Sequence, residues 1–190
     1  MKNLDRKKFI RKELLNRRNS LPQEICEKYS KLIETRLLSL PIYQTADTLL
    51  IYASYNNEVN TYSIIEDALN HSKRVYCPKV LEPGVMKFYH IRSLNDIVAG
   101  YRNIPEPIRT DCIYDYKSSA NTLMIMPLVG YDSHKVRLGY GGGFYDRYLQ
   151  RFPLIPKIAL GYECQKYEPF LPSESTDIKP DYILTEEKLF

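Results

Sequence analysis

Residues 48–54 read Thr-Leu-Leu-Ile-Tyr-Ala-Ser, a continuous β-prone run. A strand with one face in water alternates apolar and polar residues, whereas an unbroken run belongs to a strand covered on both faces, as in parallel sheets. Downstream, residues 62–70 set Ile64, Ile65, Ala68 and Leu69 on one helical face behind Asn60 or Thr61 as cap, and so predict a crossover helix. Residues 74–80 and 87–91 predict two more strands, joined as a hairpin through Glu82-Pro83-Gly84. Residues 122–126, 157–160 and 182–185 complete the strand candidates, with a helix at 145–151 between the first two. This order predicts an α/β fold: an open, mostly parallel sheet with helices on both faces, three layers α/β/α.

Upstream of the run, the first 40 residues predict two helices. The first places Lys7, Arg11, Leu14 and Arg18 on one side, with Phe9, Ile10 and Leu15 beside them. The second has Ser20 as its N-cap with Gln23 as capping-box partner and Pro22 in the first turn, and it stops near Ser39 because Pro41 disfavours helical geometry just before it. Residues 1–40 hold 11 Lys and Arg against 5 Asp and Glu, while the rest of the chain holds 16 against 18, so the whole excess behind the net charge of +4 lies in this helix pair. Such a segment suits a nucleic-acid arm, a membrane-surface helix or the phosphate-binding edge of a small-ligand site.

With 190 residues, 44% of them hydrophobic, the chain is expected to form one domain over 1–190, burying about 70% of its unfolded surface and needing no staples. Cys26, Cys77, Cys112 and Cys164 lie far apart without a CxxC pair, which argues against a zinc site and for free thiols in a reducing compartment. No apolar run approaches the roughly 20 residues of a membrane span, and the polar start lacks the apolar stretch of a secretion signal. A cytoplasmic monomer with neither membrane nor nucleic-acid partner is the expectation. The 17 tyrosines alongside no tryptophan have no account.

In open α/β sheets ligands bind beyond the carboxyl ends of strands, which directs attention to residues 55–60, 101–107 and 130–146. The last contains Arg137-Leu-Gly-Tyr-Gly-Gly-Gly-Phe-Tyr-Asp-Arg147, with glycines at 139, 141, 142 and 143 just before a helix. Backbone amides unshielded by side chains at a helix start can cradle phosphate oxygens; a flexible strand-to-helix turn is the plainer alternative. The stretch is neither a Walker loop nor a GxGxxG fingerprint. Arg137 and Arg147 bracket it with charge suited to phosphate, and Asp146 offers one coordination position to Mg2+.

The stretch RLGYGGGFYDRYL (137–149) resembles the signature of the 5-formyltetrahydrofolate cyclo-ligase family, also called 5,10-methenyltetrahydrofolate synthetases. KKFIRKELLNRR, YASYNNEVNT, IPEP, MPLVGYD and KPDYILTE resemble its other landmarks in the same order. Phe144-Tyr145 stands where two tyrosines are common in the family. The resemblance implies an enzyme that uses ATP as co-substrate, with Mg2+, to convert the reduced folate 5-formyltetrahydrofolate to 5,10-methenyltetrahydrofolate. It implies ATP contacts from Lys7, Arg11 and the loop Arg137, Leu138, Gly139, Tyr140, Gly141, Gly142, Gly143, Phe144 and Tyr145. It further implies folate contacts from Ala53, Glu58 and residues Tyr140, Gly141, Gly142, Gly143 and Phe144, and Mg2+ association of Asp146 and Asp181. Arg137, Tyr145 and Asp146 are the expected catalytic groups.

Phosphorylation of the formyl oxygen followed by attack of nitrogen 10 needs positioning and charge neutralisation rather than a protein nucleophile. His71, His90 and His134 accordingly show no metal-ligand or triad spacing. The alternative from another class is a nucleotide-sensing module whose basic helix pair docks RNA or another anionic partner.

Overall fold

The computed structural model describes residues 3–100, 103–116 and 121–190. Helices α1 (Asn3–Asn19), α2 (Gln23–Ser39) and the short α3 (Pro41–Gln44) precede β1 (Thr48–Ile51); α4 (Tyr62–Asn70), β2 (Arg74–Glu82) and β3 (Val85–Ile91) follow. Then come β4 (Ile97–Ala99), β5 (Pro105–Pro107), β6 (Thr122–Pro127), β7 (Gly130–Tyr131), β8 (Arg137–Leu138), α5 (Phe144–Arg151), β9 (Lys157–Leu160) and β10 (Tyr182–Leu184).

Six strands form one sheet in the order β10-β9-β6-β1-β2-β3, parallel throughout except for the antiparallel edge strand β3. The expected α/β architecture is present, and β1 shows why its sequence is unbroken. Leu49 and Ile51 point into a core completed by Ile33 and Leu37 of α2 and Ile64, Ile65 and Ala68 of α4. Leu50 points the other way, into a core with Tyr148 and Leu149 of α5 and Phe88 of β3. In β6, Leu123 and Ile125 join the first core, and Met124 and Met126 the second. With both faces of the sheet buried, neither strand can admit a polar residue internally.

The α1 helix packs separately, through Ile10 and Leu14, on Val129, Val136, Leu138 and Leu171 beyond the end of β6. Its approach is close enough that a side chain at Gly130 would collide with Leu14 Cδ1, only 2.1 Å from where a Cβ would stand. The buried face of α1 is Lys7, Ile10, Leu14 and Arg18, so two cations are covered while Phe9 stays 66% exposed. All the positive excess of the N-terminal pair belongs to α1, which has seven basic residues against two acidic ones.

Some local expectations are corrected. Pro22, not Ser20, occupies the N-cap of α2, because the Ser20 hydroxyl donates back to Asn16 O at 2.8 Å and caps the end of α1 instead. The strand expected over 48–54 leaves the sheet after Ile51: the Thr61 hydroxyl donates to Tyr52 O and accepts from Ser54 N, which diverts the chain. Pro41, which ends α2, also starts α3. The predicted hairpin is present, turned through Pro83 and Gly84 with Gly84 at φ 87°. All four cysteines are free. Among the described residues no helix is long and apolar enough to cross a membrane.

Candidate active site

From central β1 the chain steps to β2 on one side, while β6 lies on the other. The carboxyl ends of β1 and β6 therefore flank the crevice where open α/β sheets bind ligands. A cleft of about 880 Å³ lies there, with Tyr52 and Ala53 after β1 and Pro127 at the end of β6 in its floor. That volume suits a site for one or two small molecules. Lys7 and Arg11 of α1 form one rim, Pro78, Val80 and Met86 of the β2–β3 hairpin another, and the glycine loop closes the third side.

The glycine loop is held at several points. Gly143, the N-cap of α5, has φ 65°, a left-handed conformation that suits glycine. Arg11 Nε donates to Gly139 O at 2.7 Å. Arg147 donates to Gly142 O and, at 2.9 Å, to Gly84 O, tying the loop to the hairpin tip. The buried Arg137 donates to Pro127 O at 3.2 Å and to Asp146 Oδ1 at 3.1 Å, while its Nε has no acceptor among the described residues. Its guanidinium lies 5.7 Å from the centre of the Tyr145 ring. The Tyr145 hydroxyl is likewise buried without a partner, and burial pushes its pKa far up. Two residues that line the cleft thus each carry a buried polar atom without a partner among the described residues.

Asp146, Glu174 and Asp177 stand together on one side of the cleft. Asp146 Oδ1 accepts from Arg137 and from Ile178 N; Asp177 Oδ2 accepts from Lys7 Nζ at 2.6 Å and from Glu174 N at 2.8 Å. Asp146 Oδ2 and Asp177 Oδ1 have no hydrogen-bond partner among the described residues. Across the cleft, Glu58 Oε2 accepts from Tyr55 N at 2.9 Å, and Oε1 accepts from the Tyr140 hydroxyl, which in turn accepts from Arg18 at 2.8 Å. Burial raises the pKa of Glu58 above its ordinary value, and the bonds from Tyr140 and Tyr55 and the charge of Arg18 partly offset this.

Residues 3–186 match the 5-formyltetrahydrofolate cyclo-ligase family. The chain belongs to that family. It is 33% identical to the 5-formyltetrahydrofolate cyclo-ligase of Escherichia coli K12 over 179 residues, covering 92% of this chain and 97% of the relative. It is 27% identical to the cyclo-ligase of Mus musculus over 191 residues, or 95% and 94% of the two chains. The solved 5,10-methenyltetrahydrofolate synthetase of Aquifex aeolicus superposes with a TM-score of 0.82 at 28% identity, covering 96% of this chain and 91% of that one. Membership makes the chain an enzyme, a ligase of folate one-carbon metabolism.

Of the positions that the cyclo-ligase resemblance marks, Lys7, Arg11, Ala53, Glu58 and the whole run from Arg137 to Asp146 line one cleft. Asp181 does not. Its carboxylate accepts from Lys157 N at 2.8 Å and pairs with Lys157 Nζ at 3.4 Å, fastening β10 to β9. The acids of this segment that join Asp146 at the cleft are Glu174 and Asp177, seven and four residues before Asp181, and no sequence motif marks them. Glu106, in the IPEP segment, also lines the cleft: it is buried and accepts from Val80 N at 3.0 Å. Of residues 101–107, Tyr101 and Arg102 lie outside the described residues.

Proposed function

We propose that this cyclo-ligase converts 5-formyltetrahydrofolate and ATP to 5,10-methenyltetrahydrofolate, ADP and phosphate, with Mg2+. The observation that carries this reading is a single cleft holding a cationic, glycine-lined edge suited to polyphosphate on one side and a carboxylate, Glu58, on the other. Lys7, Arg11 and the amides at the start of α5 would take the phosphates. Glu58, with an ionised carboxylate, would accept hydrogen bonds from the amino and ring N–H groups of the pterin.

In the proposed sequence the formyl oxygen attacks the γ-phosphorus and the bond to ADP breaks. Nitrogen 10 then attacks the activated carbon, its proton is released, and the original formyl oxygen leaves within phosphate. No group on the protein needs to become covalently attached. Arg137, whose guanidinium lines the cleft, would stabilise negative charge as it develops on the transferring oxygens, with the Tyr145 ring beside it, and Arg11 keeps the loop in register by its bond to Gly139.

The donor set fits Mg2+, since two cleft carboxylates each keep one unpartnered oxygen and this ion is usually bound by one or two carboxylates together with substrate phosphates. Asp146 and Asp177 would hold it. When bound, it supplies neutralisation of phosphate charge.

The test is to incubate the protein with ATP, Mg2+ and 5-formyltetrahydrofolate and follow the absorbance of the conjugated methenyl product alongside ADP. Product formation dependent on both substrates supports the reading; absent product together with absent folate binding overturns it. For the RNA-docking alternative Lys7, Arg11 and Arg18 are engaged by Asp177, Gly139 and Tyr140, whereas Arg6, Lys8, Lys12 and Arg17 of α1 are exposed, so salt-dependent RNA binding is the measurement that tests it.

A further inference from the structure

We propose that Arg18 is a positioning residue for the folate side of the cleft, acting through the Tyr140 hydroxyl on the carboxylate of Glu58. The proposal rests on the reading of Glu58 as the pterin-binding acid.

Arg18 is only 3% exposed, and burying a guanidinium is costly unless it is used. Its NH1 donates to Tyr140 Oη at 2.8 Å, and its Cζ lies 5.7 Å from the centre of the Tyr140 ring. The hydroxyl passes its own proton toward Glu58 Oε1, so one phenol stands between cation and carboxylate. A hydroxyl that accepts from a cation becomes a stronger donor to the acid beyond it. Because Arg18 does not contact Glu58 directly, it polarises and aims the acid without occupying it.

The helix geometry gives the arrangement its consequence. Lys7, Arg11, Leu14 and Arg18 recur at spacings of four, three and four, so they share one face over three turns, about 16 Å. One rigid helix therefore carries the nucleotide-side cations in its first half and the support of the folate-side acid at its end. Tyr140, although inside the glycine loop, is assigned to the folate side by its two hydrogen bonds.

The groups facing Glu58 are Tyr140 and Arg18, the Tyr55 amide, and the phenols of Tyr52 and Tyr145. Both of those phenols are held well above the ordinary tyrosine range and carry no charge at working pH. Burial alone raises Glu58, while Tyr140, Tyr55 and Arg18 hold it down. Removing Arg18 must therefore raise it further.

The experiment compares Arg18→Met, Arg18→Lys, Tyr140→Phe and the Arg18→Met/Tyr140→Phe pair by steady-state kinetics in both substrates. Arg18→Met should raise the KM for 5-formyltetrahydrofolate roughly 10- to 100-fold, as expected for loss of a hydrogen bond to a charged group, with the KM for ATP within about twofold. The acid limb of kcat/KM for the folate should move to higher pH, and Arg18→Lys should restore part of the loss. The double variant should be no worse than the poorer single one, since both break one chain. Equal rises in both KM values, an unmoved acid limb or additive losses would overturn the proposal. Should Arg18→Met fail to fold, Tyr140→Phe, at a ring 49% exposed, decides by the same readouts. Glu58→Gln separates the two levels: an unchanged folate KM there defeats the reading of Glu58, whereas a raised one beside a normal Arg18→Met defeats only the role of Arg18.

Discussion

The ammonium of Lys7 lies 2.6 Å from Asp177 Oδ2, a contact that joins the first helix to the segment before the last strand across 170 positions of sequence. The pair is well covered, with side chains 10% and 23% exposed, and Glu174 stands 3.8 Å from the same nitrogen. One cation thus docks the 174–177 segment and offers charge to the cleft.

Lys7→Met should raise the KM for ATP about tenfold or more and leave that for folate nearly unchanged. It should also lower stability by about 1–3 kcal/mol, since Asp177 loses a largely buried partner. Initial rates with each substrate varied in turn, together with urea unfolding, check both parts. A change confined to the folate KM would place α1 on the wrong ligand.

The two aspartates near the C-terminus should behave differently. Asp177→Asn should raise the Mg2+ concentration needed for half-maximal rate about 10- to 100-fold, the range expected when a group that supports a metal site is lost. Asp181→Ala should leave the Mg2+ titration unmoved and lower stability by about 1–2 kcal/mol, because Lys157 N loses its acceptor. Asp146→Asn should impair both turnover and stability, because Arg137, whose side chain is 4% exposed, loses its only anionic partner among the described residues. The reverse pattern at Asp177 and Asp181 would restore Asp181 as the metal-associated acid.

These contrasts show what was legible in the sequence. Burial on both faces forces an uninterrupted apolar run, so β1 could be read from Leu49, Leu50 and Ile51 alone, and Pro83-Gly84 marked the hairpin by its turn chemistry. The glycine loop was legible because four glycines ahead of a helix have few structural uses. Asp177 and Asp181 could not be told apart because no periodic element links them; only the bonds to Lys7 and Lys157 separate their surroundings. Ser20 and Gln23 had the spacing of a capping box, but a serine hydroxyl can bond backward as well as forward, and here Asn16 O takes it. The Arg18–Tyr140–Glu58 chain joins three regions far apart in sequence, and no local pattern announces it.

Gly143→Ala tests the loop geometry. At φ 65° an L side chain is strained, and the new Cβ would stand 2.7 Å from NH1 of Arg147, whose Nε and NH2 donate to Gly84 O and Gly142 O. The guanidinium can swing away, but the backbone strain stays, at about 1–2 kcal/mol. Stability should fall by about that amount and the KM for ATP should rise, while Gly143→Asn, better tolerated in this conformation, should recover part of the stability. Equal stability of the alanine variant and the parent would show that the left-handed N-cap is not required.

The pH dependence of folate use and that of stability should run in opposite directions at Glu58. Burial holds its carboxyl above the ordinary glutamate range, so the protonated form accumulates at a pH where an exposed glutamate is still ionised. A protonated acid cannot accept from two pterin donors, and kcat/KM for the folate should fall on the acid side earlier than an ordinary carboxylate would dictate. For stability the folded state binds this proton more tightly than the unfolded chain does, so the contribution is fully present below the unfolded pKa and is lost as pH rises through the raised folded pKa. Glu58→Gln should therefore remove the acid limb of the folate profile and flatten the fall of Tm with rising pH over the same window. Persistence of the acid limb in Glu58→Gln would assign that titration to another group.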